Sequence, residues 1–405
     1  MLKSAELAVW LYGTQVGVIG VGARGLLSFS PHGSWTSGDM MPRLGAAFLR
    51  DGERFGSEVR LPSWFEHLLP PFRSPLRRRV CAMANVSEQD SASLLSLLGH
   101  DLPGAVVVDG RDIEFEAAEL ELGPFLFSVP GMQPKLSLLW QDQKFIFPAK
   151  RNVDGDWYVK MALDSESLVE LPQIENATME WARCVGLEVP QCELVDISIL
   201  PSLPRDFAQA ATSAFAVKRF DRVDGQRVHQ EDFAQALGEG PFDIYGGLRG
   251  RVDYSGVSRL VRDLCGERSL HEFVRRLAFV VASGNTDAHL KNWSFQWWRD
   301  AARPTLSPVY DQVSTVSLAG VTDEKGGELA LGIGGVSFFE ELGREHLKKF
   351  CVDSGDATLL DTFDEGTTEA LRTWDQVEHL APESMRRAVA EHWERTPLLS
   401  HFGSS

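Results

Sequence analysis

Gly284-Asn285-Thr286-Asp287-Ala288-His289-Leu290-Lys291-Asn292 is the stretch on which the reading of this chain turns. It follows Leu270-His271-Glu272-Phe273-Val274-Arg275-Arg276-Leu277-Ala278-Phe279-Val280-Val281-Ala282, whose apolar residues at i, i+3, i+4, i+7 and i+8 predict a half-buried helix. Gly284 comes just past that helix, where a left-handed C-cap is needed. Trp293-Ser294-Phe295-Gln296-Trp297-Trp298 then reads as an aromatic-rich strand. A dense set of ionisable groups therefore lies on a short loop between two packed elements, where catalytic groups tend to collect.

The chemistry that such a loop suggests is phosphoryl transfer. Asp287 would orient a substrate hydroxyl and accept its proton, and Asn292, five residues on, would offer an oxygen to Mg²⁺. A metal needs a second carboxylate. Asp311 is the candidate, in Ser307-Pro308-Val309-Tyr310-Asp311, where Pro308 and the flanking polar residues predict a turn. Taken alone, Asn285-Thr286-Asp287 reads equally well as a turn with self-capping side chains. Asp311 and the features below tip the reading towards a site.

Three stretches resemble the HipA family of serine/threonine kinase toxins. They are Asn285 to Asn292, Ser128-Val129-Pro130-Gly131-Met132-Gln133-Pro134-Lys135, and Arg219-Phe220-Asp221-Arg222. They stand in the family's order, and the resemblance runs along essentially the whole chain. It implies an α/β (α+β), two-lobed, protein-kinase-like fold with a mixed α/β N-lobe and an α-helical C-lobe. The implied segments are 1–100 as a small N-terminal subdomain, 101–222 as the N-lobe with phosphate-covering loop and hinge, and 223–405 as the C-lobe. The implied reaction uses ATP and Mg²⁺.

For biology, the resemblance implies the toxin of a toxin–antitoxin pair. Such a kinase would phosphorylate a translation component such as an aminoacyl-tRNA synthetase and arrest growth. A HipB-like helix-turn-helix antitoxin would carry the DNA contacts. Two other readings stay open on the residues: a kinase-like co-repressor module acting with a DNA-binding antitoxin, and a small-molecule kinase.

Composition sets the bounds. The chain has 405 residues and a net charge of −17, long enough to bury a large core and too acidic for a primary DNA binder. Arg73-Ser74-Pro75-Leu76-Arg77-Arg78-Arg79 is a short basic run that reads as a solvated helix face. Five scattered cysteines without C-x-x-C spacing argue against a disulfide framework or a zinc site. With no signal peptide and no long apolar span, the expectation is a cytoplasmic protein without membrane contact.

Along the chain, Ala8 to Ser30 reads as short strands with a turn at Gly13-Thr14. Gly20-Val21-Gly22-Ala23-Arg24-Gly25 fits the dinucleotide fingerprint. The residues after it, Leu26 to Pro31, read as another strand rather than the helix that fingerprint must open. The helical signal from Trp64 to Pro70 resembles the family's N-terminal subdomain. A Pro130-Gly131 turn between strand-like runs is by itself a plain hairpin, though its backbone N–H groups could cover phosphates and Lys135 would add a point charge. The resemblance makes this the loop over the nucleotide phosphates, and Ser128 the serine whose autophosphorylation flips it out.

Lys160 ends the strand Trp157-Tyr158-Val159-Lys160, where kinase folds place a lysine for the α/β-phosphates that pairs with a helix Glu. Glu175 is the candidate partner; an exposed edge-strand lysine is the plain alternative. Ala214 to Phe220 reads as a buried strand, and the resemblance makes Lys218, Arg219 and Phe220 the adenine-contacting hinge. The family often has Glu where Lys218 stands, so a side-chain contact to ribose or adenine would differ here. Asp221 and Arg222 read alternatively as a structural ion pair. Gln230-Glu231-Asp232 predicts a helix start with carboxylates at its positive end. His289, Lys291 and Tyr310 complete the expected nucleotide contacts, with His289 equally readable as a packed, hydrogen-bonded histidine.

Overall fold

A computed structural model describes residues 6–21, 27–33, 43–49, 61–110, 135–148, 153–161, 168–202, 212–241, 243–246, 252–318 and 327–400. They form two compact units. The first takes in residues 1–163, 195–241 and 296–302, and the second residues 164–194, 242–295 and 303–405. The expected segments 1–100, 101–222 and 223–405 divide the sequence; in space 1–163 and 195–222 share a unit with 223–241 and 296–302, while 164–194 joins the second unit.

The first unit begins with β1 (Leu7–Leu11), β2 (Thr14–Val21) and β3 (Leu27–Pro31), joined later by β4 (Val106–Gly110) in the antiparallel order β3-β2-β1-β4. Gly13 takes φ +76° in the two-residue turn between β1 and β2, the conformation tight hairpins need. β3 stands where the dinucleotide fingerprint would require a helix. Three helices follow: α1 (Ser63–Glu66), α2 (Pro75–Met83) and α3 (Ser91–Leu98). Phe29, Phe48, Trp64 and Phe65 meet in a ring cluster beneath the sheet.

The basic run corrects one expectation. Arg73 and Arg78 are exposed on or beside α2, but Arg77 is 1% exposed and pairs with Glu66 at 2.7 Å. Its guanidinium also donates to Ser91 Oγ and to the carbonyls of Pro70 and Glu88. A guanidinium that gathers this many acceptors can be buried, and α2 presents it inward.

The second sheet of this unit has the order β6-β5-β7-β9-β8, from β5 (Lys135–Gln141), β6 (Lys144–Ile146), β7 (Trp157–Met161), β8 (Cys192–Asp196) and β9 (Ser213–Lys218). Short strands β10 (Arg222–Val223), β11 (Gln226–Arg227) and β12 (His229–Asp232) lead into α5 (Phe233–Leu237). Asp232 caps α5 in a capping box with Gln235, the helix start that the sequence predicts. The neighbouring Glu231 is fully buried and accepts from Ala46 N–H and the indoles of Trp64 and Trp297, at 2.8–3.0 Å. Burial pushes its carboxyl up to about 7 against the pull of those donors.

In the second unit, α4 (Leu171–Cys184) carries Trp181, whose indole donates to Ala370 O at 2.9 Å and packs on Phe279 and Trp374. α6 (Tyr254–Cys265) and α7 (Glu267–Ser283) pack on each other, α6 also against α8 (Arg344–Ser354) and α7 against α9 (Leu359–Val377). α10 (Glu383–Arg395) meets the end of α7 through His392 and Trp393 and packs on the short α11 (Pro397–Ser400). β13 (Ser294–Trp297), β14 (Thr305–Leu306) and the hairpin β15 (Glu328–Ile333) with β16 (Val336–Phe338) complete the described elements. All five cysteines are free. No helix among the described residues is long and apolar enough to cross a membrane.

Candidate active site

The second unit positions the loop from Gly284 to Asn292. α7 ends at Gly284, which adopts φ +65°, ψ +40°; only a residue without Cβ takes this at low cost. A Cβ there would also lie 2.5 Å from Val316 Cγ2. The Gly284 carbonyl accepts from Val316 N–H at 3.1 Å, and Thr286 N–H donates to Thr315 Oγ1 at 2.6 Å. Further along, Tyr254 OH and Trp293 Nε1–H both donate to Ala288 O, at 2.9 and 3.0 Å. The loop is therefore held from beneath at three points.

Its side chains brace one another. Asp287 N–H donates to Asn285 Oδ1 at 2.9 Å, and Asn285 Nδ2 donates to Gln312 Oε1 at 2.9 Å. Asn292 Nδ2 donates to the Asp287 carbonyl at 2.6 Å, which leaves the amide oxygen of Asn292 as an acceptor. Asp311 sits next to Gln312 with φ +58°, a left-handed conformation that is uncommon for a non-glycine residue and clusters at functional sites.

Asp287 is the most open of these groups, with a side chain 53% exposed. Its Oδ1 accepts from Tyr245 OH at 2.7 Å and lies 4.0 Å from His289 Nε2. The His289 ring packs edge-on against Tyr245, with centroids 5.1 Å apart, and its Nδ1 has no hydrogen-bond partner among the described residues. Burial lowers the His289 pKa, against the opposite pull of the Asp287 and Asp311 charges. One imidazole thus feels both carboxylates. Asp287 opens on a cleft of about 650 Å³ lined by Tyr245, Asp253, Thr286 and residues of the β15–β16 hairpin.

Tyr310 braces the loop through its hydroxyl. Its hydroxyl meets Ser294 Oγ at 2.5 Å and donates to Lys291 O at 2.8 Å, which ties the end of the loop to the Asp311 segment. Glu175 is 1% exposed on α4. Among the described residues no three His, Cys, Asp or Glu side chains cluster as a metal site.

In the first unit, Lys160 on β7 is opposite Lys135 on β5 in the antiparallel register, so the two side chains share a face. Lys160 is 4% exposed and its Nζ lies 5.6 Å from the Phe215 ring centre. Lys218 ends β9 and is exposed, and the Phe220 carbonyl accepts from Gln296 Nε2 at 3.2 Å. The Arg219 side chain is committed to the interior of the unit, which leaves its backbone for the expected hinge contact. Its fully buried guanidinium pairs with Asp101 at 2.5 Å and with Asp221 at 2.9 Å, donates to Leu102 O, and stacks over Tyr158. Burial would raise the Asp221 pKa, yet Arg219 and Arg222 hold it well below the usual carboxylate range. Asp221 and Arg222 form the structural ion pair, at 2.9 Å. Ser128 to Pro134 lie outside the described residues.

Tyr245 is the site residue that sequence reasoning missed. It lies 42 positions before Asp287, in a short Asp243–Gly246 turn with no periodicity to mark it.

Residues 7–109 match the profile of the HipA N-terminal domain, and residues 127–392 match that of the HipA-like C-terminal domain. The chain is 35% identical over 334 residues to "Putative kinase Y4dM" of Sinorhizobium fredii, covering 78% of each protein. It is 28% identical over 207 residues to the serine/threonine-protein kinase toxin HipA of Shewanella oneidensis, covering 46% of this chain and 43% of that one. A solved complex of HipA, HipB and operator DNA from Shewanella oneidensis matches with a TM-score of 0.73 at 20% identity, over 98% of this chain and 96% of the other. That likeness shows the fold, a mixed α/β kinase-like one.

Proposed function

The chain belongs to the HipA family of kinases, and on that premise we propose that it is an ATP-dependent serine/threonine protein kinase. In this reading Asp287 accepts the proton of the acceptor hydroxyl as the γ-phosphoryl group of ATP moves onto that oxygen and ADP leaves. The observation that carries the reading is the bond from Asn292 Nδ2 to the Asp287 carbonyl. It ties the Asn292 amide to the backbone of the loop that carries Asp287, so the amide oxygen and the base belong to one braced loop.

Asn292 Oδ1 and Asp311 are the oxygens that would hold Mg²⁺. Two hard oxygen donors fit a metal that takes its remaining ligands from phosphates and water. Mg²⁺ when bound would neutralise charge on the transferring phosphoryl group. Lys160 and Lys135, two like charges on one face of a sheet, make a placement that a bound polyanion would relieve. Glu175 would orient Lys160, while Val129 to Pro134 would cover the phosphates and Ser128 would be the autophosphorylated serine. Lys218 and Phe220 would meet the adenine through their backbone. His289 would pack beneath the carboxylates rather than donate to them.

The biological reading is a toxin, neutralised by a HipB-like helix-turn-helix antitoxin through which any DNA contact runs. Its substrate would be a translation component such as an aminoacyl-tRNA synthetase. Support comes from the HipA toxin among the chain's relatives and from the net charge of −17, which leaves DNA binding to a partner. Induced expression of wild type and Asn292→Ala, followed by phosphoproteomics, tests this. The expected result is growth arrest and a new phosphoserine or phosphothreonine on a translation factor with wild type only. Arrest by both variants without a new phosphosite would favour the co-repressor reading, and label on metabolites alone the small-molecule kinase.

A further inference from the structure

Tyr245 occupies a built position in the cleft. The turn that carries it is held at both ends, with Leu290 N–H donating to Ile244 O at 3.0 Å and Val252 N–H to Gly246 O at 3.1 Å. Gly246 has φ +83°, and a Cβ there would fall 2.2 Å from the Val252 carbonyl, so the turn closes only around glycine. From this fixed origin the ring crosses to the catalytic loop. It remains 50% exposed, yet its hydroxyl donates to Asp287 Oδ1 at 2.7 Å.

Burial and the Asp287 charge both raise the phenol's pKa, which favours the phenol as proton donor in this bond. His289 Nε2 lies 4.0 Å from the same oxygen. Among the described residues, these two groups converge on Oδ1.

We propose that Tyr245 is a positioning residue that locks the Asp287 carboxylate through Oδ1 and so presents Oδ2 to the acceptor hydroxyl. This rests on Asp287 being the base. A base held by a third group is the arrangement that proton transfer at a fixed angle demands. The opposite role is distinguishable: if Tyr245 stood in the acceptor's own place it would have to leave before each turnover, and its removal would speed the reaction.

The test measures ADP release from MgATP, with bacterial lysate protein as acceptor, for wild type, Tyr245→Phe and Asp287→Asn. Tyr245→Phe keeps the ring against His289 and deletes one hydroxyl. The expected result is a kcat lowered about 10- to 100-fold, with the KM for ATP and the ATP-induced rise in Tm unchanged. Asp287→Asn should fall to background. If Asp287→Asn is silent while Tyr245→Phe matches or exceeds wild type, the positioning role is wrong and the base stands. If Asp287→Asn retains wild-type turnover, or wild type has none, the base reading fails and this inference with it.

Discussion

Two buried cations of the first unit illustrate how far a residue's identity predicts its role. Lys160 and Arg219 were both expected at the nucleotide. Lys160 lies on a sheet face with Lys135 opposite, whereas Arg219 is enclosed by Asp101, Asp221, Ser137 and Leu102 O. The difference was not legible in the sequence because Asp101, 118 positions away, gives no local signal. It has a measurable consequence. Lys160→Met should raise the KM for ATP at least tenfold with little change in unfolding midpoint. Arg219→Met leaves two buried carboxylates with a partner missing, and should cost about 3–5 kcal/mol of stability in urea unfolding. The reverse pattern would show that the Arg219 side chain serves the nucleotide and Lys160 the fold.

At the level of elements, the run from α7 through Gly284 and the loop to β13 was legible almost residue by residue. Its periodicity, cap and aromatic alternation all point the same way. The sequence also favours a strand over a nucleotide-binding helix at Leu27–Pro31, and β3 is there. Less legible were contacts that cross between elements. Examples are Gln312 on Asn285, Thr315 on Thr286, and the burial of Arg77 on a helix that reads as solvated. These depend on long-range packing, for which a single sequence carries no pattern. Gly284 is where local and long-range demands coincide. Gly284→Ala adds a Cβ in a left-handed conformation and 2.5 Å from Val316. It should destabilise by roughly 1–3 kcal/mol and lower turnover by displacing the loop. Denaturant unfolding checks the first effect and ADP release the second; wild-type values in both would show that the loop does not depend on this cap.

For the whole molecule, the family resemblance was legible because three motifs keep their order over most of the chain, and the matching profiles span residues 7–109 and 127–392. The boundaries of the compact units were not. The chain enters each unit more than once, with 195–241 and 296–302 returning to the first, and no linker composition marks those returns. The chain's activity rests on the central claim that it transfers the γ-phosphoryl group of ATP through Asp287. The most direct measurement incubates purified wild type and Asp287→Ala with radiolabelled ATP and Mg²⁺ in a cell lysate and locates the label by mass spectrometry. The account predicts label on a serine or threonine of a discrete protein, or on Ser128 of the chain itself, with wild type and none with Asp287→Ala. Equal labelling by both proteins, or ATP binding by wild type without any label, would contradict it.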